Sequence, residues 1–242
     1  MTAWTGLVVV LALAGCGRLR FDATNDAATS EGSGDAMPDS VDARPLGPTC
    51  PGDPSLLACY SFDSTLIDST GRGNDATGVD VTFVPGIEGM AAQFESTSRA
   101  DVTPNLDASA ITIDAWVNRE ALASDGLVFD HDARWAMGFT SEGQLLCSLT
   151  PIILAKSATI VPEGVWTHIA CTFAADSVDG YIAGVDVVTD GGGVVTAGNT
   201  EAAIGGDAPA GQTGKPFVGA IDRMRIWSRA LSATEVCDAA GC

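Results

Sequence analysis

The chain has 242 residues, enough for one sandwich domain of ordinary size or for two small domains. Its 31 acidic and 12 basic side chains give a formal net charge of -19, and such a surface repels phosphate backbones, so nucleic acid is not an expected partner. Hydrophobic residues make up 46% of the chain, well above the range of a disordered protein. Because the 7 cysteines are an odd number, one of them needs a role outside an intrachain disulfide.

A short apolar segment near the amino terminus offers that role. Residues 7–14 are apolar, which is far fewer than the roughly 20 residues needed to span a bilayer as a helix. The segment ends in Leu13-Ala14-Gly15-Cys16, which resembles the lipobox of bacterial lipoprotein signal peptides, in which the cysteine takes the lipid. One departure is that residues 1–5 carry no Lys or Arg, whereas a typical signal begins with a basic region. The alternative is a buried core helix with a chance cysteine.

The resemblance implies a signal peptide over residues 1–15 and lipid attachment at Cys16, with the membrane as a partner through that anchor. Gly17 stands where an Asp often retains lipoproteins at the inner membrane, so we expect the cell envelope, at the outer membrane of a diderm bacterium. Residues 17–49 are rich in Asp, Ala, Ser, Gly, Thr and Pro and cannot bury enough surface to offset their chain entropy. We predict that residues 16–49 are the lipidated cysteine and a disordered acidic tether; the alternative is that this stretch belongs to the domain.

Residues 50–242 are predicted to form one all-β domain. Their short alternating segments are bounded by Gly, Asp, Asn and Ser, which is typical of a sandwich or barrel. Ser232 and Glu235 form a capping box that predicts a short carboxyl-terminal helix. The predicted strands in chain order are Leu57–Phe62, Ala91–Glu95, Ile111–Asn118, Gly126–Asp130, Trp135–Thr140, Gln144–Leu149, Trp166–Phe173, Val178–Ala183, Glu201–Ile204 and Ala220–Trp227.

Six segments resemble, in the right order, the motifs of the laminin G-like jellyroll domains. They are ACYSFDSTLIDSTGRGNDATG, GIEGMAAQFES, ITIDAWVN, GVWTHIACTF, YIAGVDV and AIGG…FVGAIDRMRIWSRALSATEV, and they cover nearly all of the chain from Ala58 to Val236. The resemblance implies a concanavalin A-like fold, an all-β jellyroll sandwich of two curved antiparallel sheets packed face to face. It also implies a non-catalytic binding module for glycan or protein ligands.

The segment Ile111–Asn118 raises the question of a ligand-binding tryptophan. Strict alternation places its Ile, Ala and Val side chains on one face, which should be the core, and Trp116 on the other face. Either a loop or a neighbouring strand covers Trp116, or this side chain lines a groove where a sugar could stack.

Acidic residues in two places suggest a calcium site. Alternation in the last strand places Asp222 on the core side with Met224 and Ile226, and a buried carboxylate is costly unless it is paired. Members of the resembled family often hold a structural calcium near the sheet edge. The hypothesis is a calcium ion held by Asp63, Asp222 and the loop around Asn74, with neighbouring Asp68 and Asp75 also offering hard oxygen ligands. The alternative is that Asp222 pairs with an arginine or accepts hydrogen bonds from backbone N–H groups.

Six cysteines remain once Cys16 is assigned to the lipid. A lipoprotein enters an oxidising compartment, so we expect disulfides. Cys147 and Cys171 lie in mid-domain strands and are expected to pair with each other. The other four lie at the ends of the domain and pair either locally, as Cys50 with Cys59 and Cys237 with Cys242, or across the two ends.

No catalytic motif stands out in the sequence. The E-x-D-x-E strand pattern of jellyroll glucanases is absent, and the nearest feature is Asp130-His131-Asp132, which reads as a metal site or, preferably, as a solvated strand end. His168 is interpreted as a packed structural histidine. The leading expectation is therefore a binding module for glycans or extracellular proteins. The alternative is a structural or adhesive envelope protein, and a glycoside hydrolase would need two carboxylates about 5–10 Å apart in a cleft.

Overall fold

A computed structural model describes residues 46–150, 153–195, 201–212 and 214–242. Cys16 and the expected signal peptide and almost all of the tether lie outside the described residues. The strands β1 to β15 and the helix α1 are, in order, Leu56–Tyr60, Ala76–Val79, Thr82–Pro85, Met90–Phe94, Arg99–Val102, Ile111–Arg119, Gly126–His131, Trp135–Phe139, Gln144–Leu149, Ile153–Ile160, Thr167–Phe173, Ser177–Ile182, Val185–Gly191, Ala202–Ile204, Gly219–Trp227 and Ala233–Ala240.

The strands form two antiparallel sheets. The eight-stranded sheet has the order β13-β12-β11-β6-β15-β4-β3, and β1 pairs with β15 beside this path. The seven-stranded sheet has the order β10-β9-β8-β7-β14-β5-β2. One continuous cluster of buried apolar side chains contains residues from both sheets. The expected all-β jellyroll sandwich with a short carboxyl-terminal helix is confirmed.

All ten predicted strands are present, with ends that shift by a few residues. The sequence did not predict β2, β3, β5, β10 and β13. Most of the side chains of β2 and β13 are exposed or half-buried, so neither strand shows the apolar alternation that marks a half-buried strand. The strand prediction depended on the alternation of apolar residues that burial of one face produces. Edge strands such as β2 and β13 bury few side chains, so they lack this alternation.

The core confirms the alternation predicted for β6. Ile111, Ile113, Ala115 and Val117 pack in the core between the sheets, and Trp116 lies on the opposite, outer face. The disulfide between Cys147 of β9 and Cys171 of β11 joins the two sheets through this core.

The last strand departs from strict alternation, so the expectation that Asp222 faces the core was wrong. The pairing of β15 with β6 shifts register between Asp222 and Arg225, and Arg223 in this bulge has a left-handed backbone with φ 49°. A β-bulge inserts one extra residue and reverses which face the following side chains occupy. As a result Ile221 and Met224 both enter the core, while Asp222 pairs with Trp116 on the outer face.

The outer face of the eight-stranded sheet is partly covered by the ends of the domain. A small apolar cluster there contains Trp227, Leu231 and Val236 of the carboxyl-terminal segment. The predicted capping box of α1 is present, because the Ser232 side chain accepts from the backbone N–H of Glu235 and the Glu235 side chain accepts from that of Ser232. The four terminal cysteines pair locally, as Cys50–Cys59 and Cys237–Cys242.

None of the helices in the described part of the chain has the length and apolar character needed to span a bilayer.

Candidate functional site

A buried hydrogen-bonded cluster lies on the outer face of the eight-stranded sheet, centred on Asp114. Its carboxylate accepts from Arg225 Nε at 2.9 Å and from Trp227 Nε1 at 2.8 Å, and His168 Nε2 lies 3.2 Å from Asp114 Oδ1. Although burial opposes ionisation, the Arg225 guanidinium and the His168 hydrogen bond lower the pKa of Asp114 to about 2. Because both carboxylate oxygens are already bonded within the fold, this cluster is structural.

Trp116 lies beside this cluster and is half-buried. Its ring meets that of His168 edge to face, with centroids 5.7 Å apart. Burial lowers the pKa of His168, which agrees with the packed structural role predicted for it. The indole Nε1 of Trp116 is buried and has no hydrogen-bond partner within the described part of the chain. Trp116 lines neither of the two cavities described below, so a ligand-binding role for it stays a prediction.

Asp222 and Asp63 both hold the turn that joins β3 to β4. Asp222 Oδ2 accepts from the backbone N–H groups of Ile87 at 3.0 Å and Glu88 at 3.3 Å, and Asp63 Oδ1 accepts from Met90 N at 2.9 Å. The alternative considered for Asp222, that it accepts from backbone N–H groups, is therefore present. Burial, together with the nearby negative charge of Asp63, raises the pKa of Asp222 to about 6.

One oxygen of this site remains unexplained by the hydrogen bonds of the fold. Asp222 is fully buried, and its Oδ1 has no hydrogen-bond partner among the residues that the structure describes. A buried carboxylate oxygen without a donor is costly, and a cation would relieve both this cost and the repulsion from Asp63.

Asn74 belongs to a different hydrogen-bond network. Its amide nitrogen donates to Leu57 O at 2.9 Å and to Asp68 Oδ2 at 3.3 Å, and its side-chain oxygen accepts from Asn105 N. Asp68 also accepts from Cys59 N at 3.0 Å. No described contact joins this network to the Asp63 and Asp222 pair, so the three predicted calcium ligands are divided between two places.

Among residues 46–150, 153–195, 201–212 and 214–242, no group of three or more His, Cys, Asp or Glu side chains is placed to hold a metal ion. A calcium ion takes 6–8 oxygen ligands, so an ion at Asp63 and Asp222 would need backbone carbonyls and water for most of them. The orphaned oxygen of Asp222 and the hard oxygen chemistry of the pair fit such an ion.

The outer face of the seven-stranded sheet carries an open cavity of about 370 Å³ at one edge and a second one of about 280 Å³ over its middle strands. The edge cavity lies between the β4–β5 turn and the loop after β14, and glycines, serines and Arg99 line much of it. The middle cavity, which we call the acidic cavity, has an apolar floor that includes Ala136 and Leu146. Its other lining residues are Asp125, Leu127, Asp130, Asp132, Ala133, Trp135, Ser148, Thr150, Leu154, Asp207, Ala208 and Lys215.

The acidic cavity gathers carboxylates from several parts of the chain. Asp130 Oδ2 accepts from Ala208 N at 2.8 Å, and this bond ties strand β7 to the loop after β14. Burial raises the pKa of Asp130 to about 6, and the negative charges of Asp207 and Asp132 add to the shift, while Lys215 opposes it. The cavity therefore combines apolar surface with closely spaced charged and hydroxyl groups, the usual composition of a small-molecule site.

His131 does not join its two acidic neighbours. Successive side chains of a strand point to opposite faces, and the His131 ring lies edge to face against Trp135, with centroids 5.2 Å apart. Trp135 belongs to the core as well as to the lining of the acidic cavity, and in the described part of the chain no three His, Cys, Asp or Glu side chains are placed to hold a metal ion. A metal site built from all three side chains is therefore not formed.

The sequence named only part of the acidic cavity. The alternation of Asp130 and Asp132 was visible, and it is the signal that could have pointed to this face. Asp125 lies in the loop before β7, whereas Asp207 and Lys215 lie in the loop after β14, and the pairing of β14 with β7 brings these two loops to one place.

Comparison with known proteins assigns the fold family. A model of the laminin G-like family, described as the concanavalin A-like lectin/glucanases superfamily, matches residues 94–237. The chain therefore belongs to this family, as its sequence motifs implied. No match was found among curated protein sequences.

Several solved structures are similar to the chain. One is domain 4 of AbnA, a GH43 extracellular arabinanase from Geobacillus stearothermophilus, in complex with arabinotriose; the TM-score is 0.67 at 27% identity, covering 77% of this chain and 98% of that domain. Another is the binding domain of paraclostridial mosquitocidal protein 1, with a TM-score of 0.62 at 18% identity, covering 76% of this chain and 51% of that one. A third is the binding domain of botulinum neurotoxin DC in complex with SialylT, with a TM-score of 0.57 at 14% identity, covering 76% and 50%. The chain thus spans about half the length of the two toxin domains. At such low identity, the similarity to these domains shows a shared fold and nothing about function.

Proposed function

We propose that the protein is a non-catalytic glycan-binding module whose ligand lies in the acidic cavity. The observation that carries the proposal is the cavity itself, because its apolar floor can contact the C–H face of a sugar ring while carboxylates and hydroxyls accept or donate hydrogen bonds at its sides. Support comes from the similar arabinanase domain, whose structure is a complex with arabinotriose and which this chain covers over 98% of its length.

A cavity-filling variant tests this proposal. Ser148 is half-buried at the cavity, and Ser148→Phe should occupy ligand space without changing any charge. Thr189→Phe on the exposed edge strand β13 is the matched control. In calorimetric titrations with arabinotriose and a panel of neutral and charged oligosaccharides, we expect binding by the parent and the control and its loss in Ser148→Phe. If the parent binds no oligosaccharide, the structural or adhesive alternative is favoured instead.

A glycoside hydrolase is the second candidate. It is favoured by one observation, that Asp130 has a pKa of about 6 with Asp132 and Asp207 nearby, which is the kind of environment a general acid needs. The test is release of reducing ends from bound oligosaccharides over days. We expect none, and release that Asp130→Asn abolishes would establish catalysis.

We also propose that the module is displayed on the cell envelope through a lipid on Cys16, which would make the membrane its second partner. The support is the lipobox-like sequence that ends at this cysteine. Labelling with a radioactive fatty acid and membrane fractionation, with Cys16→Ser as the comparison, test it. The parent should carry label and sediment with the outer membrane, whereas an unlabelled parent contradicts the anchor.

Calcium is proposed as a structural cofactor at Asp63 and Asp222. The unpartnered Oδ1 of Asp222 supports this assignment, and the metal would neutralise a pair of carboxylates that hold one turn. Calcium at 100 times its dissociation constant should raise the free energy of unfolding by about 2.7 kcal/mol. Asp222→Asn should abolish this effect, while Asp186→Asn on an exposed strand should keep it. A melting temperature that is the same in calcium and in EDTA contradicts the site.

A further inference from the structure

The charge around the acidic cavity is strongly one-sided. Asp125, Asp130, Asp132 and Asp207 line it, and Lys215 is the one cationic side chain among its described lining residues. Asp207 and Asp132 both lie close enough to Asp130 for their charges to disfavour its ionisation. The described residues therefore leave excess negative charge in a partly enclosed space, where the effective dielectric constant is lower than in water.

Asp130 is placed to present this charge to a ligand. Its side chain is only 9% exposed, so water solvates its charge less well than that of a surface carboxylate. Its Oδ2 accepts a hydrogen bond from Ala208 N at 2.8 Å, and its side chain lines the cavity. An ionised carboxylate can accept about four hydrogen bonds, so a nearly buried one that lines a cavity can also accept from a donor on a ligand.

A sugar that carries a cationic group would complement the carboxylates of the acidic cavity. An ammonium group offers three donors and one positive charge in a small volume. Hydrogen bonds from a charged donor to a carboxylate are shorter and stronger than those from a neutral hydroxyl. An acidic sugar would be repelled by the same carboxylates, and a neutral sugar would leave their repulsion in place.

We infer that the acidic cavity selects glycans that carry free amino groups, such as glucosamine oligomers, over neutral or N-acetylated ones. This inference rests on the proposed glycan-binding function and adds the class of sugar. Asp130 and Asp207 bind the ammonium group of the sugar, and the positive charge of Lys215 limits the affinity by repelling that group.

The experiment compares two ligands with the same sugar backbone. The full chain is titrated with a tetramer of glucosamine and with the corresponding tetramer of N-acetylglucosamine at pH 7, and the glucosamine tetramer should bind about tenfold more tightly or better. Asp130→Asn and Asp207→Asn should bring the ratio close to one. Lys215→Gln should increase the ratio, since it removes the opposing charge.

Two controls separate this selectivity from general attraction to an acidic protein. Asp186→Asn removes one exposed carboxylate outside the cavity and should leave the ratio unchanged. Tetralysine carries more charge but no sugar, and it should bind weakly and without dependence on Asp130. Thermal melts of every variant show that the fold is retained.

The outcomes distinguish the two proposals. If neutral oligosaccharides bind as tightly as the glucosamine tetramer, or if both Asp variants keep the preference, the amine selectivity is wrong and the glycan-binding function stands. If tetralysine binds as tightly as the glucosamine tetramer, the attraction is general and the inference is overturned. If no oligosaccharide binds, both proposals fail.

Discussion

The outer faces of the two sheets treat buried aspartates in opposite ways. On the eight-stranded sheet, Asp114 is fully buried and has a pKa of about 2, because Arg225 and His168 counter the cost of burial. On the seven-stranded sheet, Asp130 is nearly as buried and has a pKa of about 6, because burial disfavours its charge and the nearby carboxylates of Asp207 and Asp132 add to this effect. Both residues are buried aspartates, so the difference between their pKa values comes from the charged groups around them. One face uses its carboxylate to hold the fold together, and the other leaves a carboxylate available.

Removing the satisfied carboxylate should have the largest effect on stability. Asp114→Ala leaves the Arg225 guanidinium buried without its partner, and breaking a buried pair in this way costs about 3–5 kcal/mol. We expect a matching drop in the free energy of unfolding in urea titrations. Asp186→Ala on the exposed strand β13 should change it by less than about 0.5 kcal/mol. If Asp114→Ala lowers the free energy of unfolding no more than this control does, the Asp114 cluster does not stabilise the fold.

Removing the disulfide that joins the two sheets should have the next largest effect on the free energy of unfolding. Cys147 and Cys171 are separated by 24 residues, and the loop-entropy model gives about 3.5 kcal/mol for their bond, against about 2 kcal/mol for Cys237–Cys242 with a separation of 5. Replacing each pair by alanines and measuring urea unfolding tests the order. Equal losses for the two pairs would contradict the loop-entropy ranking and the core location of the first bond.

Removing the charge of Asp130 should stabilise the fold, in contrast to the two losses of stability expected above. Because the pKa of Asp130 is raised from 3.8 to about 6, its ionisation opposes folding, and stability falls as pH rises through this window. Asp130→Asn should therefore raise the free energy of unfolding at pH 7 by about 1–2 kcal/mol, and the gain should vanish near pH 4. Asp114 behaves in the reverse way: its lowered pKa contributes stability above pH 4 that is lost as pH falls towards 2. A destabilised Asp130→Asn protein at pH 7 would mean that Asp130 is part of the scaffold.

The smallest expected effect concerns Trp116. Trp116→Phe keeps the aromatic contact with His168 and removes an indole N–H that no described residue accepts from, so the free energy of unfolding should change by less than about 1 kcal/mol. Oligosaccharide affinity should be unchanged if the acidic cavity is the binding face. A large loss of affinity in this variant would move the binding site to the eight-stranded sheet.

The sequence predicted the buried half of the sandwich better than its edges and its sites. Alternation in the predicted strand Ile111–Asn118 correctly identified the core-facing residues, since the two faces of that strand differ in polarity. The same argument failed at Asp222, because a bulge of one residue reverses the facing and alternation carries no sign of it. Asn74 was grouped with Asp63 by nearness in sequence, but its hydrogen bonds bind it to Asp68 and Leu57.

The order of motifs and the apolar period were sufficient to determine the all-β sandwich, the capped helix and the family, because each depends on local pattern and on burial. Tertiary structure alone decided which carboxylates are neutralised and which are not. Asp114 meets Arg225 only through the pairing of β6 with β15, and Asp130 meets Ala208 and Asp207 only where the loop after β14 packs beside β7. Electrostatic interaction depends on distance in space, and the linear sequence does not contain that distance.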